Sequence, residues 1–443
     1  MQKQLANWGN YPVLTCDECT FTNEEQLQQY VNAHNNIIAR GNGRCYGDAS
    51  LAQNSVSTLK YDKVLSFDIT NGVFECQSGI TLDQILDIIV PKGWFLPVTP
   101  GTKFITVGGA IASDVHGKNH HVDGCFSNHI VYMEVLTAQG LVRCSPTENS
   151  DLFWATSGGM GLTGVITNVQ FNLKKIETAY IKQKQIKAKN LDEVIALFEQ
   201  YKHYTYSMAW IDCLKKGDGF GRSILIVGEH ATKNELNPKQ AVAPLQLPAK
   251  PKLTVPFNLP SFILNNFTVK AFNWLYYNKN TRKEINNVVP YEPFFYPLDA
   301  ILHWNRGYGK KGFVQYQFVL PLAQKDGLIA ILKRISDKGW GSFLAVLKVF
   351  GQQDSLISFP MEGYTLALDF PVRNGLFEFL DELDEIVLQY GGRLYLSKDA
   401  RMQQATFWKS YPNAQTFADT VNKFNPSHKF SSIQSDRLQL TNQ

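Results

Sequence analysis

The stretch RGNGRCYGD at residues 40–48 and the stretch PGTKFITVGGAIASDVHG at residues 100–117 decide how this chain of 443 residues is interpreted. In the first stretch, Gly41, Gly43 and Gly47 permit positive φ angles, so that successive main-chain N–H groups can point to one place. Such a nest suits phosphate oxygens. In the second stretch, small residues leave the backbone free to lie directly against a large or flat group. Together the two stretches predict a site for a ligand of dinucleotide size.

A third glycine motif competes for the nucleotide-binding role. Gly159, Gly161 and Gly164 form the string G-x-G-x-x-G, which marks many sites of the Rossmann type. That fingerprint requires a helix directly after the glycines. Residues 165–171, VITNVQF, have instead the β-branched pattern of a strand. The sequence therefore excludes a Rossmann site.

Length and composition bound the class of protein. A chain of 443 residues predicts two or three domains at about 150 residues each. Apolar residues make up 44% and charged residues 19%, which excludes a disordered or collagen-like chain. The 43 basic and 39 acidic residues leave a net charge of +4, too little to indicate a nucleic-acid partner.

The sequence predicts a cytoplasmic protein. The N-terminal residues MQKQLANW lack the apolar stretch of a secretory signal, and no window reaches the roughly 18 apolar residues of a membrane-spanning helix. The seven cysteines, an odd number, do not suggest a disulfide framework. The absence of such a framework is typical of a protein in a reducing compartment. We expect at most a peripheral contact with the inner face of a membrane.

The histidines and cysteines of the first half do not predict a metal site. The four histidines between residues 116 and 129 fit no zinc-ligand spacing, and the single C-x-x-C at residues 16–19 has no second pair. His116 stands among glycines, where a histidine is better interpreted as a ligand contact or a polar anchor.

The periodicity of the sequence changes near residue 176. Before it, strand-like runs alternate with glycines, and Thr81 with Gln84 forms a capping box for a helix over 82–90. After it, helical and strand-like patterns mix, which indicates a distinct α+β domain. The predicted helices there begin after Asn190 and span 326–336 and 374–390, and the strand-like runs cover 223–227, 312–320, 343–350 and 364–370.

Residues 245–290 stand apart from the rest of this region. They hold six basic residues against the single acid Glu284, interleaved with seven aromatic residues. One interpretation is a long insertion packed on its own domain. The other is a basic and aromatic flap that closes a site or rests on an anionic membrane surface. The pattern leaves both open.

Lys398 follows a short apolar run. In a regular strand over 393–398, Leu394, Leu396 and Lys398 share one face. A lysine on an apolar face either reaches solvent at the end of the strand or is a buried cation with a function. Pattern alone leaves both readings open.

Several segments of the sequence resemble the conserved motifs of one known enzyme family. Besides the two glycine stretches they include DLFWATSGGMGLTG, VQYQFVLP, LKVFG, ISFP and GGRLYLSKDAR, in family order and nearly end to end. The chain resembles the vanillyl-alcohol-oxidase/p-cresol-methylhydroxylase superfamily of FAD enzymes, and within it the oxidases of polyprenylphosphoryl-ribose. The resemblance implies an α+β fold of two domains. An FAD-binding domain of residues 1–178, completed by 393–443, would hold an inserted substrate domain with an antiparallel sheet, residues 179–392.

The resemblance also implies the cofactor contacts. Relatives often attach the flavin covalently through a histidine, at a place where this chain has Arg44, so we expect non-covalent FAD. The implied FAD contacts are Ala39, Arg40, Gly41, Asn42, Gly43, Arg44, Cys45, Tyr46, Gly47, Asp48, Ala49, Gly101, Thr106, Val107, Gly108, Gly109, Ser113, Asp114, Val115, His116, Ile166 and Tyr395.

The implied reaction is oxidation of a sugar secondary alcohol to a ketone, by hydride transfer to flavin N5. The substrate would be the 2′-hydroxyl of a polyprenylphosphoryl-ribose, with a quinone or oxygen as electron acceptor and a short-chain reductase completing an epimerisation. Lys398 would stabilise the charge of the reduced flavin. The implied catalytic residues are Lys398, His116 and Tyr46, and the implied substrate contacts are Lys118, Trp210, Gln317, Lys348, Thr365 and Ala367.

Some pocket positions depart from the family pattern. Ala367 replaces a cysteine that covalent inhibitors attack in a relative, Thr365 replaces an asparagine and Met208 a serine, while Trp210 is kept. Two alternatives therefore stay open. One is a sugar-lactone or alditol oxidase of the same superfamily that uses oxygen, and the other is a flavin-free binding protein that keeps the fold.

Overall fold

The computed structural model describes residues 2–247, 252–260 and 264–441. The strands in these ranges are β1 (Gln2–Ala6), β2 (Val13–Thr20), β3 (Ile37–Arg40), β4 (Asn54–Ser57), β5 (Val64–Asp68), β6 (Val73–Gln77), β7 (Trp94–Phe95), β8 (Ile130–Thr137), β9 (Gly140–Cys144), β10 (Val165–Asn172), β11 (Lys174–Lys175), β12 (Tyr180–Ala188), β13 (Tyr206–Ile211), β14 (Ser223–His230), β15 (Leu253–Thr254), β16 (Glu284–Pro290), β17 (Ile301–Leu302), β18 (Phe313–Pro321), β19 (Val346–Phe350), β20 (Gly363–Pro371) and β21 (Arg393–Leu394). The helices are α1 (Glu24–Ala33), α2 (Leu82–Ile89), α3 (Val107–Ala112), α4 (His120–Asp123), α5 (Ser150–Thr156), α6 (Leu191–Gln200), α7 (Pro238–Ala241), α8 (Asn266–Asn278), α9 (Tyr291–Phe295), α10 (Lys325–Lys338), α11 (Leu376–Gln389), α12 (Gln404–Ser410), α13 (Ala414–Phe424) and α14 (Ile433–Leu438). The fold is α+β.

The N-terminal sheet has the strand order β1-β2-β4-β3, and β4 runs parallel to both β2 and β3. Helix α1 connects β2 to β3 and begins after Asn23, whose side chain accepts a hydrogen bond from Gln26 N at 2.9 Å. The C-terminal segment joins this sheet, because Ile37 N donates to Lys429 O at 2.9 Å and Ser431 N to Ile37 O at 3.0 Å. The first glycine stretch therefore begins at the end of a strand that is fixed on both sides.

The central sheet is antiparallel, with the order β5-β6-β10-β8-β9. Helix α2 packs beneath it and begins at the capping box of Thr81 and Gln84, which confirms the helix predicted from this motif. Strand β10, Val165–Asn172, directly follows the string G-x-G-x-x-G. The exclusion of a Rossmann site is therefore confirmed, since that site needs a helix at this place.

The large sheet is antiparallel and has the order β16-β12-β14-β13-β19-β20-β18-β21. Helices α10 and α11, predicted at 326–336 and 374–390, pack on one of its faces and bury Tyr316, Phe318 and Leu366. Side chains alternate along a strand, so Gln317 of β18 and Ala367 of β20 point to the other face. That face is the wall of the cavity described below.

The predicted strand over 393–398 is wrong beyond its second residue. Strand pairing with β18 covers Arg393–Leu394 and is followed by one further hydrogen bond, from Tyr395 N to Gln317 O at 2.9 Å. Leu396–Lys398 then forms one turn of 3-10 helix. The chain leaves the sheet because Lys398 N donates to Tyr395 O at 3.0 Å instead of to a neighbouring strand. The side chains in this turn follow helical spacing, so Lys398 does not share a strand face with Leu394.

The segment 245–290 contains β15, α8 and the start of β16 in its described parts, whereas Lys250 and Phe262, which belong to the predicted flap, lie outside the described residues. Across the described ranges, no helix combines the length and apolar character needed to cross a membrane.

Candidate active site

One cavity of about 520 Å³ joins the glycine stretches to the large sheet. Its wall includes residues 41–46, several residues between 99 and 118, and side chains of β13, β18, β19 and β20. The turn that carries Lys398 closes one side. The predicted cofactor and substrate residues therefore face a single space.

The first glycine stretch brings free main-chain donors to this cavity. Within the described part of the chain, the N–H groups of residues 41–45 donate to no acceptor, whereas Tyr46 N donates to Ser397 O at 2.9 Å. Gly43 has a φ of +58°, a conformation that favours glycine. A Cβ on Gly41 would collide with the side chain of Thr106. The stretch is thus held close to the second one and keeps a run of unpaired amides, as phosphate binding requires.

The second glycine stretch supplies a small-residue surface instead of free donors. Helix α3 begins after Thr106, whose hydroxyl accepts from Gly109 N at 3.2 Å. The N–H groups of Val107 and Gly108 already donate to carbonyls of the preceding chain, at 2.9 and 2.8 Å. A Cβ on Gly101 would meet nothing within 4 Å, so this position opens onto the cavity. A broad group can therefore lie against this backbone.

Arg44 stacks between aromatic rings beside the free amides. Its Cζ lies 4.0 Å from the ring centroid of Trp8 and 5.5 Å from that of Phe104. Its Nε is buried without a partner in the described residues, and burial lowers the pKa of the guanidinium. The side chain therefore offers a cation and hydrogen-bond donors to a ligand, but no nucleophile.

Lys398 lies partly buried in the wall of the cavity. Its Nζ is 3.8 Å from the ring centroid of Tyr46. Burial lowers the pKa of Lys398 to about 8, and the negative charge of Asp369 opposes that lowering. Burial also raises the pKa of Asp369 to about 6, although Gln315 Nε2 donates to this carboxylate at 2.6 Å and Tyr308 Oη at 3.3 Å. Asp369 is therefore the counter-charge of Lys398.

His116 is enclosed by aromatic rings and by an amide. Its Nε2 lies 3.3 Å from Gln317 Nε2, which also donates to Thr365 Oγ1 at 3.3 Å. Burial, aided by the charge of Lys348, holds the pKa of His116 well below its usual range, so the imidazole is neutral. The ring centroids nearest its own, at 4.7 to 5.7 Å, belong to Phe350, Phe359 and Tyr395.

Two more lysines, both partly buried, face the cavity. Burial lowers the pKa of Lys118 to about 8, and burial with the charges of Lys118 and Lys398 lowers that of Lys348 to about 7. Lys118 Nζ donates to Phe295 O at 3.2 Å, and no salt bridge to either lysine occurs among the described residues. Among the described lining residues, Asp299 is the only acid. An anionic ligand would relieve this excess of positive charge.

Most of the predicted site residues line the cavity. From the predicted cofactor set these are Ala39, Gly41, Asn42, Gly43, Arg44, Cys45, Tyr46, Ala49, Gly101, Thr106, Gly108, Gly109, Ser113, Val115, His116, Ile166 and Tyr395. From the remaining catalytic and substrate sets they are Lys118, Trp210, Gln317, Lys348, Ala367 and Lys398.

The other predicted residues lie behind the wall and support it. Asp48 forms an ion pair with Arg437 at 3.0 Å, and the same guanidinium pairs with Asp399 at 2.8 Å. Asp114 accepts hydrogen bonds from Ser127 N at 3.1 Å and Ser358 Oγ at 2.6 Å. The residues placed in this way are Arg40, Gly47, Asp48, Val107, Asp114 and Thr365.

Several residues of the site were not predicted. Met160, Gly161 and Gly164 line the cavity. The string G-x-G-x-x-G, which was excluded as a Rossmann site, therefore belongs to a turn in the cavity wall. Asp369 was also missed, although a lone acid in the apolar strand GYTLALDFP is a signal that could have found it. Trp8 and Gln315 carry no comparable signal, because their neighbours in the site are distant in sequence.

Comparison with known proteins identifies the family. Residues 19–145 match the FAD binding domain family. The chain is 38% identical to the decaprenylphosphoryl-beta-D-ribose oxidase of Mycolicibacterium smegmatis, over 99% of this chain and 98% of that relative. The chain belongs to the FAD-dependent oxidoreductases of the p-cresol-methylhydroxylase type. This membership confirms the resemblance inferred from the motifs.

Other relatives match only part of the chain. The human Delta(24)-sterol reductase is 29% identical over 30% of this chain and 26% of its own length. A putative D-arabinono-1,4-lactone oxidase of Neurospora crassa is 29% identical over 32% of this chain and 25% of its own.

The residues of the cavity fit FAD. Unpaired amides at residues 41–45 suit the pyrophosphate, and the open position at Gly101 leaves room for a group that lies against the backbone. The partly buried cation of Lys398 suits a ring system that gains negative charge on reduction. This oxidoreductase is therefore FAD-dependent.

Proposed function

We propose that this oxidoreductase converts the 2′-hydroxyl of a polyprenylphosphoryl-ribose to a ketone, in the synthesis of arabinose donors for the cell envelope. The observation that carries the proposal is the set of three partly buried lysines, Lys118, Lys348 and Lys398, in a mostly apolar cavity that also contains the glycine stretches. The name of the relative that aligns over 99% of the chain supports the sugar and its lipid phosphate.

The reaction removes a hydride from C2 and a proton from the hydroxyl of the substrate. FAD, when bound, accepts the hydride at N5. Tyr46 and His116 are the proposed partners of the hydroxyl. Burial keeps the pKa of Tyr46 well above its usual range, so its phenol donates a hydrogen bond, and the neutral imidazole of His116 can accept the proton.

Lys398 supplies the positive charge that balances the charge gained by the cofactor. A fixed cation at this place lowers the energy of the transition state more than that of the ground state. Its pKa of about 8 keeps most of the side chain protonated at neutral pH, and the charge of Asp369 supports this state.

Lys118 and Lys348 bind the phosphate in this proposal. Both are partly buried and form no salt bridge among the described residues, so an anion would restore their pKa values towards the usual range. Gln317 and Trp210 supply a hydrogen-bonding amide and an aromatic surface for the sugar. At positions 367 and 365 this chain has Ala367 and Thr365, so these two positions carry neither a thiol nor an amide.

We also propose that FAD is held without a covalent bond. The position at which relatives carry a flavin-linking histidine is Arg44, which stacks on Trp8 and has no nucleophilic atom. The cofactor would then depend on the amides of the first stretch, the surface of the second and the charge of Lys398.

The proposed domain arrangement has an FAD-binding domain of residues 1–178 and 393–443 and a substrate domain of 179–392. The hydrogen bonds of Ile37 with Lys429 and Ser431 support it, because they join the last part of the chain to the first sheet. Strand β21 still pairs with β18, so the proposed boundary falls at this strand.

The chemistry implies two further partners. The electrons taken from the substrate need a final acceptor, and we propose a quinone or oxygen for this role. A ketone at C2 becomes an epimerised alcohol only when a second enzyme delivers hydride to the other face, and we propose a short-chain reductase for this step.

Anaerobic mixing of the yellow protein with substrates tests the proposal. Farnesylphosphoryl-ribose should bleach the flavin absorbance, whereas free ribose should not, because it lacks the phosphate that Lys118 and Lys348 bind. The matched variants Lys348→Met and Lys325→Met remove a partly buried and an exposed lysine, and only the first should raise the substrate concentration needed for half-maximal bleaching.

The lactone or alditol oxidase is the alternative, and the partial match to the Neurospora crassa protein supports it. Bleaching by an aldonolactone or alditol, with steady peroxide formation in air and no response to farnesylphosphoryl-ribose, would overturn our proposal. A purified protein that stays colourless after incubation with FAD would overturn both.

A further inference from the structure

Helix α8 presents large apolar side chains to solvent. Phe267, Trp274 and Leu275 are 79%, 58% and 62% exposed, and helical spacing puts them on one stripe with Lys270. The helix, NFTVKAFNWLYYN, contains no acidic residue. Surface helices of water-soluble domains usually turn such side chains towards the core. The outer face of α8 is therefore suited to an apolar neighbour outside the chain.

The opposite face of α8 belongs to the wall of the active-site cavity. Phe272 and Tyr276 line this cavity, and the ring centroid of Tyr276 is 4.7 Å from that of Trp210. Asn273 is fully buried and donates to Asp212 Oδ1 at 2.8 Å, which anchors the helix. One helix thus separates the cavity from the outside and is apolar on both sides.

The charges around α8 are mostly positive and only partly paired. Lys270, Lys279 and Arg282 form no salt bridge within the described residues, while Lys283 pairs with a glutamate of α6 at 2.9 Å. Glu284, the nearest acid that follows in sequence, is itself paired with a lysine of β12 at 2.7 Å. Free cations beside exposed aromatic residues are typical of helices that lie in the interface of an anionic bilayer.

A second exposed apolar pair belongs to the same cavity wall. Leu253 and Phe257 are 69% and 63% exposed. Strand β15, which contains Leu253, pairs with Ile301–Leu302, and both of these residues line the cavity. The outward apolar side chains therefore occur on two segments that border the cavity.

We propose that the outer face of α8 rests in the interface of an anionic lipid bilayer, and that the apolar tail of the substrate enters the cavity past this helix. The contact with lipid follows from the side chains of α8 alone. The entry of a polyprenyl tail rests on the proposed function.

Sedimentation with vesicles tests the membrane contact on the FAD-loaded protein. We expect binding to vesicles of phosphatidylcholine with 30% phosphatidylglycerol at low salt, and much less to pure phosphatidylcholine. The triple variant F267S/W274S/L275S should weaken binding about tenfold or more, since it removes the inserted side chains. The charge variant K270Q/R282Q should weaken it by about fivefold per charge.

A matched control removes three exposed apolar residues from the first two sheets. Val13, Leu65 and Leu141 are 59%, 45% and 46% exposed, and V13S/L65S/L141S should bind vesicles as the unchanged protein does. Equal binding by the two triple variants, or no binding to either vesicle, would overturn the membrane contact. Both variants should keep the melting temperature of the parent, which excludes unfolding as the cause.

The substrate part of the inference has a separate readout. Farnesylphosphoryl-ribose dissolved in water should bleach the flavin equally in the parent and in F267S/W274S/L275S, whereas decaprenylphosphoryl-ribose in vesicles should bleach the variant more slowly. Vesicle binding without bleaching by either substrate would leave the membrane contact standing and overturn the proposed function. Equal rates with the vesicle substrate would overturn entry past α8.

Discussion

Lys398 is a partly buried cation in the cavity wall, and the negative charge of Asp369 opposes the lowering of its pKa by burial. If this charge stabilises the reduced cofactor, Lys398→Met should slow anaerobic flavin bleaching by about 10²- to 10³-fold, the usual effect of losing one preorganised electrostatic group. The FAD content should change little, because the amides of residues 41–45 remain. Stopped-flow spectroscopy measures the rate, and the exposed Lys409→Met is the control. A normal rate in Lys398→Met would remove the lysine from the mechanism.

Asp369 should set the pH range over which Lys398 acts. The active form is the cation, which exists below its pKa of about 8, and the negative charge of Asp369 raises that pKa. In Asp369→Asn the pKa of Lys398 should therefore fall. The flavin-bleaching rate should then decline at a lower pH than it does in the parent. In Asp369→Glu the pH at which the bleaching rate declines should return towards 8. A bleaching rate that declines at the same pH as in the parent, while the protein merely loses stability, would assign Asp369 a purely structural role.

Residue types predicted much of the site, but not its electrostatics. Clustered glycines, and a lysine close to an apolar run, help to predict a site because only a few functions require these residue types at such positions. The effect of the charge of Asp369 on Lys398 was not predictable, because it depends on how β20 lies relative to the turn after β21. The burial that lowers the pKa of Lys348 to about 7 likewise comes from the packed sheet and not from local sequence.

At the scale of elements, the two glycine stretches have different tasks, and two substitutions separate them. A Cβ on Gly47 would collide with the carbonyl oxygen of Asp399, which follows Lys398 in sequence, whereas a Cβ on Gly101 meets no atom within 4 Å. Gly47→Ala should therefore lower the melting temperature and the FAD affinity together. Gly101→Ala should leave the melting temperature of the apoprotein unchanged and weaken only FAD binding. Thermal unfolding and FAD titration by fluorescence quenching measure both, and equal effects of the two would contradict this division.

Elements with local signals were predictable, and those fixed by distant contacts were not. The capping box at Thr81 and the apolar stripe of α11 lie within their own segments, so both helices were predicted close to their observed bounds. The run at 393–398 looks like a strand, yet β18 pairs with its first two residues only. Whether 245–290 packs on its domain or faces outward could not be read from composition, since α8 does both.

At the scale of the whole molecule, Arg437 ties three distant parts of the chain together. It pairs with Asp48 of the first glycine stretch and with Asp399, next to Lys398, from helix α14. Arg437→Met should cost about 3–5 kcal/mol of unfolding free energy, because two buried carboxylates lose their partner. Arg334→Met, which removes an exposed pair with Glu382, should cost about 0–1 kcal/mol. Urea unfolding measures both, and similar small losses would contradict a structural role of the buried cluster.

The same cluster should respond to acid. Arg437 and Arg401 hold the pKa of Asp399 below its usual value, although burial alone would raise it. A carboxyl with a lowered folded pKa stabilises the fold above its ordinary pKa, and this contribution is lost as the pH falls through the folded value. Burial raises the pKa of Asp48, the other carboxyl paired with Arg437, to about 6. The stability difference between the parent and Arg437→Met should therefore begin to shrink near pH 6 and shrink further below about pH 4. A difference that stays constant down to pH 3 would show that ionised Asp399 does not need Arg437.

Attachment of the cofactor is a property of the whole fold, because amides, glycine surface and lysine come from segments far apart in sequence. If Arg44 leaves FAD without a covalent link, acid precipitation should release all the flavin into the supernatant and leave colourless protein. Because binding then stabilises only the folded state, FAD at 100 times its Kd should add about 2.7 kcal/mol to the unfolding free energy and raise Tm by a few degrees. Gly101→Ala, with weaker FAD binding, should show a smaller rise at the same FAD concentration. Flavin that stays with the precipitate would mean a covalent link at another residue and would overturn the assignment of Arg44.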